Sequence, residues 1–317
     1  AYTSGSTGLP VAHAKSWGSL VRNARAEAGR LGLLHGPRHT IVGTVPAQHM
    51  YGFESTVLLA LHGNSPFWSG KPFYPQDIVC ALQSVPSPRL LVSTPFHLGT
   101  LLAAEVELPT VERLLSATAP LSRQLAMTAE SRFGAPLHEI YGCTESGQLA
   151  SRRLLADPAW RPLDGVCLER EGDRIVAFGG HIEGRVVLAD EIELLPDGRF
   201  MLLGRNADLI SIAGKRSSLA YLDHQITAIP GVVDGAFFEP DTASSHGITR
   251  LCAFAVAPQL TGRQVLARLR QRVDAAFLPR PLFLVDALPR NSTGKLPRAD
   301  LQALYESCRT TSRDASH

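Results

Sequence analysis

The chain is poor in several things, and each shortage excludes something. Cysteine is scarce: Cys80, Cys143, Cys167, Cys252 and Cys308 are odd in number, far apart, and form no Cys-x-x-Cys pair. A disulfide framework or a cysteine-built zinc site is therefore not expected. The five read as small buried hydrophobes of a reducing compartment, so a cytoplasmic location is expected. Charge of one sign is not in excess either. Lys and Arg total 31 against 29 Asp and Glu, a formal charge of +2. No broad basic field offers itself to nucleic acid or an anionic membrane surface. No apolar run reaches the length of a bilayer span, so no membrane-crossing helix is expected. What is present is a globular balance of 44% hydrophobic and 19% charged residues in 317 positions, a length that suits two domains.

The first half alternates helical and strand patterns. Trp17, Leu20, Val21, Ala24 and Leu31 recur at helical spacing. Residues 40–45, 89–93, 114–117 and 137–141 read as short strands. Helices are expected over 56–61, from Pro95 onward and over 122–133, which together suggest a parallel α/β sheet. After Asp164 short strands follow one another over 165–168, 174–178, 184–188, 192–195 and 200–203. Pro196-Asp197-Gly198 supplies a hairpin turn between the last two. From Asp208 the pattern becomes α+β, with a strand to 212, a helix over 219–228, strands near 232–238 and 251–256, a helix over 261–277 and a strand over 282–285. The polar tail after Ser307 reads as frayed. The fold class expected is α/β: a large domain with mixed or parallel sheets and a small antiparallel β unit, followed by a small α+β C-terminal domain.

Four segments carry chemistry. Thr3-Ser4-Gly5-Ser6-Thr7-Gly8-Leu9-Pro10 combines glycine turns with a crowd of hydroxyls, which suits phosphate oxygens, although Gly-Lys-Ser/Thr of a Walker loop is absent. Tyr141-Gly142-Cys143-Thr144-Glu145 follows a strand, at the edge where parallel sheets bind ligands; Glu145 could hold a hard divalent cation and Thr144 could reach a phosphate. Asp190, followed by Gly204-Arg205 and Gly214-Lys215-Arg216, offers a carboxylate suited to ribose hydroxyls. The last is Pro289-Arg290-Asn291-Ser292-Thr293-Gly294-Lys295, a lysine on a glycine turn.

In this order the four segments resemble the signatures of the adenylate-forming (AMP-binding) superfamily: acyl-CoA synthetases, aryl-CoA ligases, luciferases and peptide-synthetase adenylation domains. The resemblance runs from Tyr2 to about Leu301. It implies that Thr3, Ser4, Gly5, Ser6, Thr7 and Gly8 cradle the ATP phosphates. Thr144 contacts the α-phosphate, Glu145 binds Mg2+ and Tyr141 lies against the adenine. Asp190 binds the ribose with Arg205 beside it, although Leu188-Ala189 replace the family's Thr-Gly before that aspartate. Lys295 reaches the carboxylate and the α-phosphate, where charge builds as pyrophosphate leaves. The implied domains are 1–205, a partial adenylation domain, and 206–317, a mobile lid carrying the adenylation lysine. Because family members carry a long region before the phosphate loop, the chain is expected to be the core of a longer ligase.

The chain also departs from the pattern. The phosphate loop ends Pro10-Val11 where the family has Pro-Lys, and Lys15 is a candidate to supply the missing ammonium. Ala207 stands at a hinge position that often carries a charge, and Ser211 replaces a frequent Lys.

The acid pocket is expected along Gln48-His49-Met50-Tyr51-Gly52-Phe53-Glu54, similar to the family's His-x-x-Gly element. His49 is placed at the carboxylate end, and Tyr51 and Phe53 supply flat apolar walls for an aryl or medium acyl group. Met50 stands where amino-acid-activating domains place an Asp, which disfavours an α-amino acid. The reading is therefore an ATP- and Mg2+-dependent ligase that makes an acyl-adenylate and passes the acyl group to the pantetheine thiol of CoA or an acyl carrier protein. Ala213-Gly214-Lys215-Arg216 would form part of the thiolation face. An amino-acid adenylation domain and a nucleotide-binding module without turnover are the alternatives.

Overall fold

A computed structural model describes residues 12–172, 174–205, 209–212, 215–240, 251–291 and 296–314. By its contacts the chain divides into two units: residues 1–188 with 192–202, and residues 189–191 with 203–317.

The first unit opens with α1 (Trp17–Arg30). Ser16 caps it by accepting from the Ser19 amide at 3.1 Å, and Arg30 lies in its last turn, where the dipole favours a cation. β1 (Thr40–Gly43) follows. A helical stretch comes next, made of α2 (Met50–Gly52), a π-helical turn (Phe53–Leu58) and α3 (Leu59–His62). Then come α4 (Pro75–Gln83), β2 (Arg89–Ser93), α5 (Pro95–Ala103), β3 (Arg113–Ser116), α6 (Arg123–Phe133), β4 (Leu137–Cys143), β5 (Gly147–Arg152) and β6 (Arg161–Pro162). The six strands form one sheet in chain order. β1 to β4 are parallel, and β4, β5 and β6 are antiparallel.

Consecutive strand residues point to opposite faces, so each strand feeds two cores. Val42, Leu91, Leu114 and Leu137 pack on one face against α4, α5 and α6 through Leu82, Leu98 and Phe133. Ile41, Leu90, Val92, Leu115 and Ile140 pack on the other against Ala28, Leu31, Leu59 and Ala60. Each such side chain contributes about 1.5–3 kcal/mol relative to exposure. β7 (Val166–Glu171), β8 (Arg174–Gly179) and β9 (Arg185–Val187) form the antiparallel unit expected from the short strands. β10 (Asp190–Leu194) and β11 (Phe200–Arg205) pair around the Pro196-Asp197-Gly198 turn, where Gly198 has φ +80°.

In the second unit, β12 (Leu209–Ile212) pairs antiparallel with β13 (Lys215–Ser218). α7 (Leu219–Thr227), β14 (Asp234–Phe238), β15 (Cys252–Val256), α8 (Gly262–Leu269), β16 (Leu282–Leu284) and α9 (Arg298–Asp314) complete it. β15 pairs antiparallel with β14 and parallel with β16. Leu222, Ile226, Val265 and Leu269 of α7 and α8 cover one face of this sheet, and Leu301 and Tyr305 of α9 cover the other. Among the described residues no helix is long and apolar enough to cross a membrane.

Several sequence expectations need correction. The helix expected over 56–61 starts at Met50. The one expected over 261–277 stops at Leu269, and a separate 3₁₀ turn (Ala275–Phe277) starts where Asp274 caps the Ala276 amide. The tail after Ser307 is not frayed at once, because α9 continues to Asp314 and is anchored by Leu301 and Tyr305. The cysteines are not uniformly buried. Only Cys252 is; Cys80 and Cys167 are exposed, because they occupy the solvent side of α4 and the outward alternation of β7.

Candidate active site

The β4–β5 hairpin places the central signature. β4 runs parallel to β3 and continues through Tyr141 and Gly142 to Cys143, then turns back at Thr144–Ser146 into β5. The register shifts between Tyr141 and Gly142. A Cβ at Gly142 would stand 2.4 Å from the Gly147 carbonyl oxygen, and Gly147 itself has φ +80°. Both glycines are therefore required by the close crossing of the two strands. The turn closes through Cys143 Sγ and Ser146 Oγ at 3.0 Å. It leaves Glu145 exposed and Thr144 half-buried at the carboxyl edge of the parallel strands. Tyr141 rests against Trp160 and Phe200, with ring centroids 5.7 and 5.8 Å away.

Glu145 is well suited to remain ionised. Partial burial works to raise its pKa, but hydrogen bonds from its own amide and Cys143, with the charges of His13 and Lys15, outweigh this and hold it below the ordinary carboxylate value. His13 Nε2 lies 3.7 Å from Glu145 Oε1, and Lys15 Nζ donates to the Glu145 carbonyl at 2.6 Å.

The acid segment sits at the neighbouring strand ends. His49 is half-buried at the N-cap position of α2; its carbonyl accepts from the Phe53 amide at 2.9 Å. Gly52 is fixed by contact: a Cβ there would meet the Pro46 and Val45 carbonyl oxygens at 2.4 and 2.6 Å. Tyr51 packs on the core face that carries Ile41 and Leu90 and donates from its hydroxyl to the Ser93 carbonyl at 3.1 Å.

Three residues at these strand ends escaped sequence reading. Thr44 follows β1, and Thr94 caps α5 by accepting from the His97 amide. His97 is buried with Nδ1 2.9 Å from Thr94 Oγ1 and 3.3 Å from Thr44 Oγ1. The Thr94 hydroxyl thus meets His97 twice, at its amide and at ring atom Nδ1. Burial pushes the His97 pKa down to about 4, so the ring is neutral. The Ser93-Thr94-Pro95 sequence, a strand end running into a helix cap, is the signal that could have found this group.

Beneath the hairpin lies a buried polar cluster. The π-helical turn carries Glu54 and Ser55 inward. Asn23 Nδ2 donates to Glu54 Oε1 at 2.6 Å, Ser55 Oγ to Glu27 Oε1 at 2.7 Å, and Gln148 Nε2 to Ser55 Oγ at 2.8 Å. Burial raises Glu27 to about 7 and, with the Glu27 charge, Glu54 to about 8.

The remaining expected site residues fall in the second unit or outside the described residues. Asp190 is half-buried at the start of β10, in the second unit, and Arg205 ends β11. Thr3, Ser4, Gly5, Ser6, Thr7, Gly8, Val11, Ala207, Gly214 and Lys295 lie outside the described residues. Ahead of Lys295, Arg290 clamps Asp234 at the start of β14 with two bonds of 2.7 Å.

A sequence profile described as AMP-binding enzyme matches residues 1–191. A 4-coumarate–CoA ligase of Rhodobacter capsulatus is 29% identical over 302 residues, covering 92% of this chain and 73% of that enzyme. A 4-chlorobenzoate–CoA ligase of an Arthrobacter species is 24% identical over 341 residues, covering 95% of this chain and 65% of the relative. Among solved structures, ATP-bound MatB from Rhodopseudomonas palustris superimposes with a TM-score of 0.81 at 21% identity, over 96% of this chain and 67% of that one. The chain thus spans about two thirds of the length of such proteins, and the fold expected from the sequence is the fold found.

Proposed function

We propose, because the chain belongs to the AMP-binding enzyme family, that it activates a carboxylic acid with ATP to an acyl-adenylate, releasing pyrophosphate, and then transfers the acyl group to a pantetheine thiol. The observation that carries this reading is the β4–β5 hairpin, which presents an ionised Glu145 beside Thr144 at the carboxyl edge of a parallel sheet.

The donor set fits magnesium. A single hard carboxylate, with substrate phosphates completing the shell, is a usual Mg2+ arrangement. Mg2+ supplies charge neutralisation at the phosphates. Glu145 holds it, Thr144 donates to the α-phosphate, and Thr3, Ser4, Gly5, Ser6, Thr7 and Gly8 wrap the β- and γ-phosphates. Tyr141, oriented by Trp160 and Phe200, takes the adenine, while Asp190 and Arg205 take the ribose. Lys295 stabilises the charge that develops as the acid carboxylate attacks the α-phosphorus and the bond to pyrophosphate breaks.

The acid binds at the ends of β1 and β2, between His49 and the Tyr51 ring. An aryl or medium acyl acid suits these walls, and both relatives above are named as ligases of aromatic acids. Residues 1–205 act as the adenylation domain and 206–317 as the lid that exchanges Lys295 for the loop around Lys215. CoA is the acceptor favoured by the relatives' names; a carrier protein offers the same thiol. A cytoplasmic setting agrees with the odd number and wide spacing of the cysteines.

Acid-dependent ATP–pyrophosphate exchange over aryl and medium-chain acyl acids tests the reading. Exchange with at least one acid is expected, and silence across the panel would sink it.

A further inference from the structure

Two basic side chains reach the Glu145 turn from the segment leading into α1. Nε2 of His13 lies near the carboxylate, and Lys15 spends a hydrogen bond of 2.6 Å on the Glu145 main-chain carbonyl. Lys15 is half-buried among Glu54, Cys143, Glu183 and Glu145. Its base is rigid: Ser16, the next residue, caps α1 with its hydroxyl and donates its amide to Glu183 at 3.2 Å. The contact joins residues 130 positions apart, so it fixes the turn to α1 instead of merely decorating a local loop.

A three-residue turn between two strands can tilt about its own ends, and an exposed carboxylate at its tip tilts with it. Holding the carbonyl of the same residue removes that freedom without using either carboxylate oxygen. We propose that Lys15 is a positioning residue for Glu145, tying the turn to α1 so that the carboxylate meets the metal on the bound nucleotide in one orientation. The inference rests on the reading of the chain as an Mg2+- and ATP-dependent ligase. It differs from a direct hold on phosphate: a positioning residue acts on the metal dependence of nucleotide binding, whereas a phosphate ligand acts with or without metal.

The test is nucleotide binding by calorimetry with ATP, in excess EDTA and across a magnesium titration, on the wild type and on Lys15→Met, Lys15→Arg and Glu145→Gln. Removal of a group that orients a metal ligand lowers metal affinity by about tenfold or more. Lys15→Met should raise the half-saturating magnesium concentration by about that factor and leave metal-free ATP affinity unchanged. Lys15→Arg, which retains a donor to the carbonyl, should restore most of it. The double variant Lys15→Met with Glu145→Gln should be no worse than Glu145→Gln alone, because the two act as one unit. Should Lys15→Met fail to fold, Lys15→Gln makes the same comparison. An unchanged magnesium midpoint, or an equal loss of metal-free ATP binding, overturns the inference. A wild type that binds ATP neither with nor without magnesium contradicts the ligase reading instead.

Discussion

Asn23 on α1 donates a hydrogen bond of 2.6 Å to the carboxyl of Glu54 in the π-helical turn, in the interior directly beneath the β4–β5 hairpin. Burial and the neighbouring Glu27 raise Glu54 to about 8, and burial raises Glu27 to about 7, against an ordinary value of 4.5. The unfolded chain therefore loses these protons first as pH rises. Stability should fall between about pH 4.5 and 8, as the native state is held to its protons or forced to bury charge. Glu54→Gln keeps the acceptor for Asn23 and removes the ionisation. Thermal unfolding from pH 5 to 9 should show a shallower alkaline decline in this variant, with a midpoint a few degrees higher at pH 8. Parallel curves for variant and wild type would refute the assignment.

On the acid side three imidazoles, those of His97 and His181 buried and that of His138 half-buried, act in the opposite sense. His97, His138 and His181 are each pushed down to about 4, chiefly by burial. The unfolded chain takes up their protons first as pH falls, so stability should drop between about pH 6.5 and 4. His97→Phe should flatten part of that drop and leave the alkaline limb alone. A variant whose acid limb is as steep as wild type would show that His97 does not titrate in this window.

The hairpin glycine is open to a direct test. Gly142→Ala puts a methyl group 2.4 Å from the Gly147 carbonyl oxygen, and the strands must separate. Overpacking of this kind costs about 1–3 kcal/mol. Stability should fall accordingly, and pyrophosphate exchange should fall further, by about tenfold or more, because the displaced segment carries Thr144 and Glu145. Gly172→Ala, where a Cβ meets nothing within 4 Å but φ is +60°, is the control for strain away from the site. Equal loss of exchange in both would contradict a special role for the hairpin.

The parallel strands were legible because each is a short apolar run bounded by polar turns, as in Arg89–Ser93. β5 was not, since Gly147–Arg152 has Leu149 as its one large apolar residue among small and polar ones, whose burial comes from neighbours elsewhere in the chain. α4 was missed because its start, Tyr74-Pro75, reads as loop until the Asp77 cap is seen. Site residues were legible where local motifs name them, as with Tyr141-Gly142 and Thr144-Glu145. Glu27, Glu54 and Gln148 meet across separations of 28 to 93 residues through Asn23 and Ser55, and no local pattern announces such a cluster. Lys15 stood out in the sequence as a cation without any sign of what it touches; its contact with Glu145 appears only in the fold.

The role proposed for Lys295, stabilising the step that joins the acid to AMP, is open to a paired measurement. Acid-dependent pyrophosphate exchange and thioester formation from a supplied acyl-adenylate are compared in wild type and Lys295→Ala. Exchange is expected in the wild type, with its loss by about 100-fold or more in the variant, and thioester formation from the supplied adenylate is expected in both. Exchange that needs no acid, or that survives unchanged in Lys295→Ala, would contradict it.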